Sequence, residues 1–155
     1  MIRRLPVLGL AAALLCACSP STPKGVDKAV LDEAVSRAIG DPNTCVIIAE
    51  RGSGKTVYRY GAYVACERGM PSCEAGPNRS AAELAKAVAV DGERVNASCP
   101  STADGSRGVG WAAGPIEGHD LVYAASMEGA ATPPGLVIAD KLEAAFRRAG
   151  LQPAG

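Results

Sequence analysis

Cys45-Val46-Ile47-Ile48-Ala49-Glu50, then Arg51-Gly52-Ser53-Gly54-Lys55, then Thr56-Val57-Tyr58-Arg59-Tyr60: this stretch decides the fold. The first six residues are rich in β-branched side chains without polar interruption, the pattern of a buried strand. The next five are Gly-rich and of hairpin length. Residues 56–64 read as the partner strand, with Tyr58, Tyr60 and Ala62 on one face and Val57, Arg59 and Tyr63 on the other. An isolated hairpin is marginal in water, so the rest of the chain must supply further strands or covering helices.

Both flanks do so. Upstream, residues 26–39 carry Val30, Leu31, Ala34, Val35, Ala38 and Ile39 at helical spacing, with Asp27 as N-cap and Gly40-Asp41-Pro42 as stop. Downstream, residues 66–78 have no hydrophobic period and read as a loop. Ser80-Ala81-Ala82-Glu83 is a capping box opening a helix that ends near Asp91-Gly92. Residues 93–98 read as a short strand and 99–105 as a loop. Residues 107–113 and 121–127 are two apolar strands joined by a link containing His119 and Asp120. After Thr132-Pro133-Pro134, a closing helix presents Ile138, Leu142, Ala145, Phe146 and Ala149, with Arg147 and Arg148 at its C-terminal end and Gly150 beyond it. Short links between strands imply antiparallel pairing. The expected fold is therefore α+β: an antiparallel sheet of four to five strands with N- and C-terminal helices packed on one face, in a single domain over residues 26–151.

The N-terminus carries an address. Arg3 and Arg4 precede an apolar run of eleven residues, 5–15, too short for a membrane-spanning helix of about 20 residues. Leu15-Cys16-Ala17-Cys18 then resembles the bacterial lipobox. That resemblance implies that residues 1–17 are a signal peptide, that cleavage falls before Cys18, and that Cys18 is lipidated on its thiol and its new amino group. Three acyl chains exceed the two signals that stable anchoring requires. Ser19, by resemblance to enterobacterial sorting, favours the outer membrane over the inner one. Residues 18–25 read as a lipidated polar tether.

Four more cysteines follow: Cys45, Cys66, Cys73 and Cys99. An even number in an exported chain implies two disulfides, with three possible connectivities. Sequence distance favours Cys66–Cys73 as a local loop and Cys45–Cys99 as a long-range bridge. The spacings lack the C-x-x-C pair typical of zinc or thiol-redox sites.

The remaining chemistry is sparse. Without Arg3 and Arg4, 14 basic residues face 16 acidic ones, and no basic stripe suggests nucleic acid as a partner. Gly54-Lys55-Thr56 fits a relaxed phosphate-loop pattern, but a strand follows where that chemistry needs a helix N-terminus. Ser21-Thr22-Pro23-Lys24 has S-x-x-K spacing, but it falls in the tether. His119 is the only histidine, and no G-x-S-x-G elbow accompanies it. Asp104, Ser106 and Asp120 are loop residues that would matter only if one pocket gathered them with His119. Trp111 sits on a strand and reads as core.

Residues 105–115, Gly-Ser-Arg-Gly-Val-Gly-Trp-Ala-Ala-Gly-Pro, resemble a late strand of the serine β-lactamases and penicillin-binding proteins. Residues 121–127 are similar to the next strand and 135–150 to the closing helix. The resemblance implies the α/β half of that fold. No Ser-x-Asn or Lys-Thr-Gly is present, so no catalytic residue, cofactor or metal ligand is carried over. The expectation is a lipid-anchored envelope protein of no assigned specific activity, acting as a non-catalytic binding or scaffold module whose partner is an envelope protein or cell-wall component. The alternative is a degenerate or novel cell-wall-directed serine hydrolase-like protein.

Overall fold

A computed structural model describes residues 22–153. The expected signal peptide over residues 1–17, the Leu15–Cys18 stretch with its expected lipidation at Cys18, and Ser21 of the S-x-x-K match lie outside the described residues. At the first of them, Pro23 is buried and its carbonyl accepts a hydrogen bond from Val26 N (3.1 Å) across a turn at Lys24-Gly25.

The elements run α1 (Lys28–Ile39), β1 (Cys45–Glu50), β2 (Thr56–Tyr60), α2 (Tyr63–Glu67), α3 (Ala81–Asp91), β3 (Val95–Pro100), β4 (Gly108–Ile116), β5 (Leu121–Gly129) and α4 (Gly135–Arg148). The fold is α+β. Five antiparallel strands pair in the order β2-β1-β5-β4-β3. The terminal helices α1 and α4 lie side by side on one face, over Val46, Ile48, Ala112, Tyr123 and Ala125. On the other face α3 covers Ile47, Ala49, Val122 and Ala124. A strand covered on both faces has no solvent side, which is why β1 reads as an unbroken apolar run rather than an alternation.

The caps form as their residues dictate. Asp27 accepts from Ala29 N and Val30 N, and Ser80 and Glu83 close a reciprocal capping box. The Gly-rich stretch 51–55 is a hairpin turn, with Gly54 at φ +67° and Glu50 N donating to Lys55 O (2.9 Å).

Several expectations are corrected. The second strand stops at Tyr60 instead of residue 64. Gly61 sits at φ +95°, and a Cβ there would lie 2.2 Å from Thr44 O, so the chain turns tightly against β1 and enters α2. Val30 is not part of the inward face: it is 47% exposed on the flank of α1, beside Arg148. β3 begins two residues later than expected and takes in Cys99 and Pro100, because pairing with β4 continues to Pro100↔Gly108. β4 extends through Pro115, which lies beyond the end of β3 at Val95↔Ala113 and so needs no N–H on that side.

The disulfides are Cys45–Cys66 and Cys73–Cys99, not the pairing that sequence distance favoured. The strand order supplies the reason. Cys45 on β1 and Cys99 on β3 are separated by β5 and β4, three strand spacings or about 14 Å, while a disulfide needs Cα atoms within about 7 Å. The segment between Cys66 and Cys73 crosses that distance and is fastened at each end to a different strand.

Candidate functional site

β5 carries Ser126 and Glu128 on the same face as Val122 and Ala124, but α3 does not reach to its end. There the segment 66–79, irregular beyond the end of α2 at Glu67, serves as the lid. It is held by the two disulfides and by a short bridge in which Met70 and Arg79 exchange backbone hydrogen bonds (2.9 Å each). Buried Trp111 donates from Nε1 to Pro71 O (2.8 Å), with the Arg79 guanidinium over its ring at 5.3 Å.

At the margin of this lid Glu128 is buried and accepts four hydrogen bonds. Arg107 donates from Nε to Oε1 (2.7 Å) and from Nη2 to Oε2 (2.8 Å). Ser101 Oγ donates to Oε1 (2.8 Å), and Arg68 Nη2 to Oε2 (2.8 Å). Three segments distant in sequence thus converge on one carboxylate: the lid through Arg68, the β3–β4 link through Ser101 and Arg107, and β5 itself. The Arg107 bonds, opposed by burial and aided by Ser101 and Arg68, hold the Glu128 carboxyl down at about 2. The same bonds push the Arg107 guanidinium up. A carboxylate so weakly basic, with both oxygens engaged, is a poor general base; its role is to position two guanidinium groups.

Those groups line an open depression of about 440 Å³ together with Asn78, Thr102 and the backbone of Gly69-Met70-Pro71. A second depression of about 410 Å³, between α1 and β2, contains the solvent-exposed Lys28–Asp32 pair one helical turn apart, and no buried charge organises it. The Glu128 depression is the better candidate site.

The residues singled out from the sequence are not gathered there. Asp104 and Ser106 are exposed on the β3–β4 link, where Asp104 accepts from Thr102 Oγ1 (2.7 Å), Ser106 Oγ (2.8 Å) and Ser106 N (3.1 Å). Those bonds, led by Thr102, lower its carboxyl to about 2, so Asp104 organises its own turn. His119 and Asp120 are exposed in the β4–β5 turn, with His119 N donating to Ile116 O (3.3 Å). The nine residues of β4 separate the two pairs by about 30 Å. Trp111 is core, as its strand position implied. Cys45, Cys66, Cys73 and Cys99 are all bonded to one another in pairs.

Arg68, Arg107 and Glu128 carried no sequence signal as a set, Arg107 and Arg68 lying 21 and 60 residues before Glu128 along the chain. The one hint was Glu128 itself, the sole charged residue of β5. Among the described residues no group of His, Cys, Asp and Glu side chains could hold a metal ion, and no helix is long and apolar enough to cross a membrane. The chain matches no protein-family model, no curated protein and no solved structure.

Proposed function

We propose that this chain is a lipid-anchored module of the bacterial cell envelope that works by binding, through the depression above Glu128, and not by catalysis. The observation that carries the reading is the pair of disulfides in one small domain. Both brace the segment roofing that depression, and such bridges persist in an oxidising compartment, where the Leu15–Cys18 lipobox would deliver the chain.

The arrangement of elements supports it further. The C-terminus of α1, not its N-terminus, leads through Asp41 into β1 at the end of the sheet where Glu128 sits. The twelve residues of α1 then place Asp27 about 18 Å of helix away. A domain tethered from Cys18 would hold its N-terminal pole to the membrane and offer the depression to the surrounding compartment. The partner is an envelope protein or cell-wall component. The terminal helices lying together on one sheet face also favour kinship with the α/β half of the serine β-lactamases, for the fold alone.

The anchor is tested by mass spectrometry of the mature protein. The expected species begins at Cys18 and carries a thioether-linked diacylglycerol and an acylated amino group. An unmodified Cys18, or cleavage at another position, overturns the reading.

A further inference from the structure

Four donors occupy both oxygens of Glu128, so the cluster has no acceptor left to offer. Its donors are not exhausted. Arg107 uses Nε and Nη2, leaving Nη1; Arg68 uses only Nη2, on Glu128 and on Met70 Sδ, leaving Nε and Nη1. Both side chains are half-exposed, at 40% for Arg107 and 48% for Arg68, and both line the depression. Each places Nη2 at 2.8 Å from the same Glu128 oxygen, so the two guanidinium groups meet at that atom. Paired, pre-positioned guanidinium groups match the oxygens of a carboxylate or phosphate.

We propose that this depression is an oxyanion-binding site, in which the spare N–H donors of Arg68 and Arg107 receive a carboxylate or phosphate group of a ligand. The proposal rests on the binding role put forward above and names the chemistry of what is bound. Buried Glu128 supplies rigidity: the two-bond contact fixes the Arg107 fork and a single bond holds Arg68 beside it, so less side-chain freedom is lost on binding. Asp41, on the link from α1 to β1, is the further acid whose field reaches Arg107. Its charge opposes that of an incoming anion. The roughly 440 Å³ of space exceeds what a single ion needs, so the oxyanion is one group of a larger ligand.

The test uses the mature lipidated protein, from Cys18 onward, in detergent micelles and follows the Nε–Hε NMR signals of Arg68 and Arg107. Sodium phosphate and sodium acetate are titrated separately against sodium chloride at matched ionic strength. A saturable shift with phosphate alone assigns a phosphate-bearing ligand, with acetate alone a carboxylate, and with both an unselective oxyanion site. Arg68→Ala leaves the two-bond Arg107–Glu128 pair in place, and should raise the apparent Kd read at Arg107 by about tenfold. Arg68→Lys, keeping the charge but not the fork, should raise it less. Shifts no different from those in chloride, or variants that titrate like the parent with unchanged circular dichroism, overturn the proposal. Absence of lipid on Cys18 would instead overturn the anchor and leave the titration standing.

Discussion

Replacing Glu128 by Gln keeps the side chain's shape and removes the charge on which Arg68, Arg107 and Ser101 converge. In the folded protein this carboxyl is held at about 2, against an ordinary value of 4.5. At 1.36 kcal/mol per pKa unit, that interval corresponds to about 3 kcal/mol of stability. The half-exposed guanidinium groups screen part of it, so a loss of about 2–3 kcal/mol is expected at pH 7. Because folding depresses this pKa, the stabilisation is complete above about pH 4.5 and is lost as pH falls through about 2. The variant has no such group. The stability gap between parent and variant should therefore narrow on acidification, to about 1 kcal/mol near pH 3. Urea unfolding at pH 7, 5 and 3, followed by the fluorescence of the single Trp111 beneath the lid, measures the gap directly. A gap under about 0.5 kcal/mol at pH 7, the size of an exposed ion pair, or one that stays constant from pH 7 to 3, would refute the account of Glu128 as the anchoring charge.

Two further expectations concern the frame around the site. Gly135→Ala should destabilise the fold by about 2 kcal/mol or more, although alanine is the better helix former by about 1 kcal/mol. A Cβ there would lie 2.2 Å from Trp111 O and 2.6 Å from Ala97 N, both backbone atoms that cannot swing aside; an unchanged thermal midpoint would contradict this packing. Non-reducing peptide mapping should find Cys45–Cys66 and Cys73–Cys99. Mild dithiothreitol should open Cys73–Cys99 first, because its sulfurs border solvent while Cys45 and Cys66 are fully buried. Loss of either bridge should cost about 3 kcal/mol, and simultaneous reduction of both would contradict the difference in burial.

Much of the frame was legible because it follows from local chemistry. Asp27, and the Ser80–Glu83 capping box, satisfy orphan helix donors wherever such residues precede an amphipathic run, and both caps form. The β-branched run of β1 and the Gly-rich turn after it gave the hairpin for the same reason. The end of the second strand was not legible. Tyr60-Gly61-Ala62-Tyr63 alternates well enough to continue, and only the approach of Gly61 to Thr44 O forces the turn. Nor was the flank position of Val30, since an apolar residue at the border of a helical stripe can fall on either side until the neighbouring helix is placed.

By itself, then, the sequence determined every element but the short α2, the α+β class, the placement of both terminal helices on one face of the sheet, and the number of cysteines available to bridge. Tertiary structure alone decided which cysteines met and which charges converged. The disulfide pairing depended on β5 and β4 lying between β1 and β3, a matter of strand order that no spacing along the chain encodes. The Arg68–Glu128–Arg107 cluster depended on α3 starting short of the C-terminal end of β5, which left one buried carboxylate to be covered by a loop instead of a helix. Burying that charge without partners would cost several kcal/mol, and the arginines that supply those partners come from wherever the fold brings them.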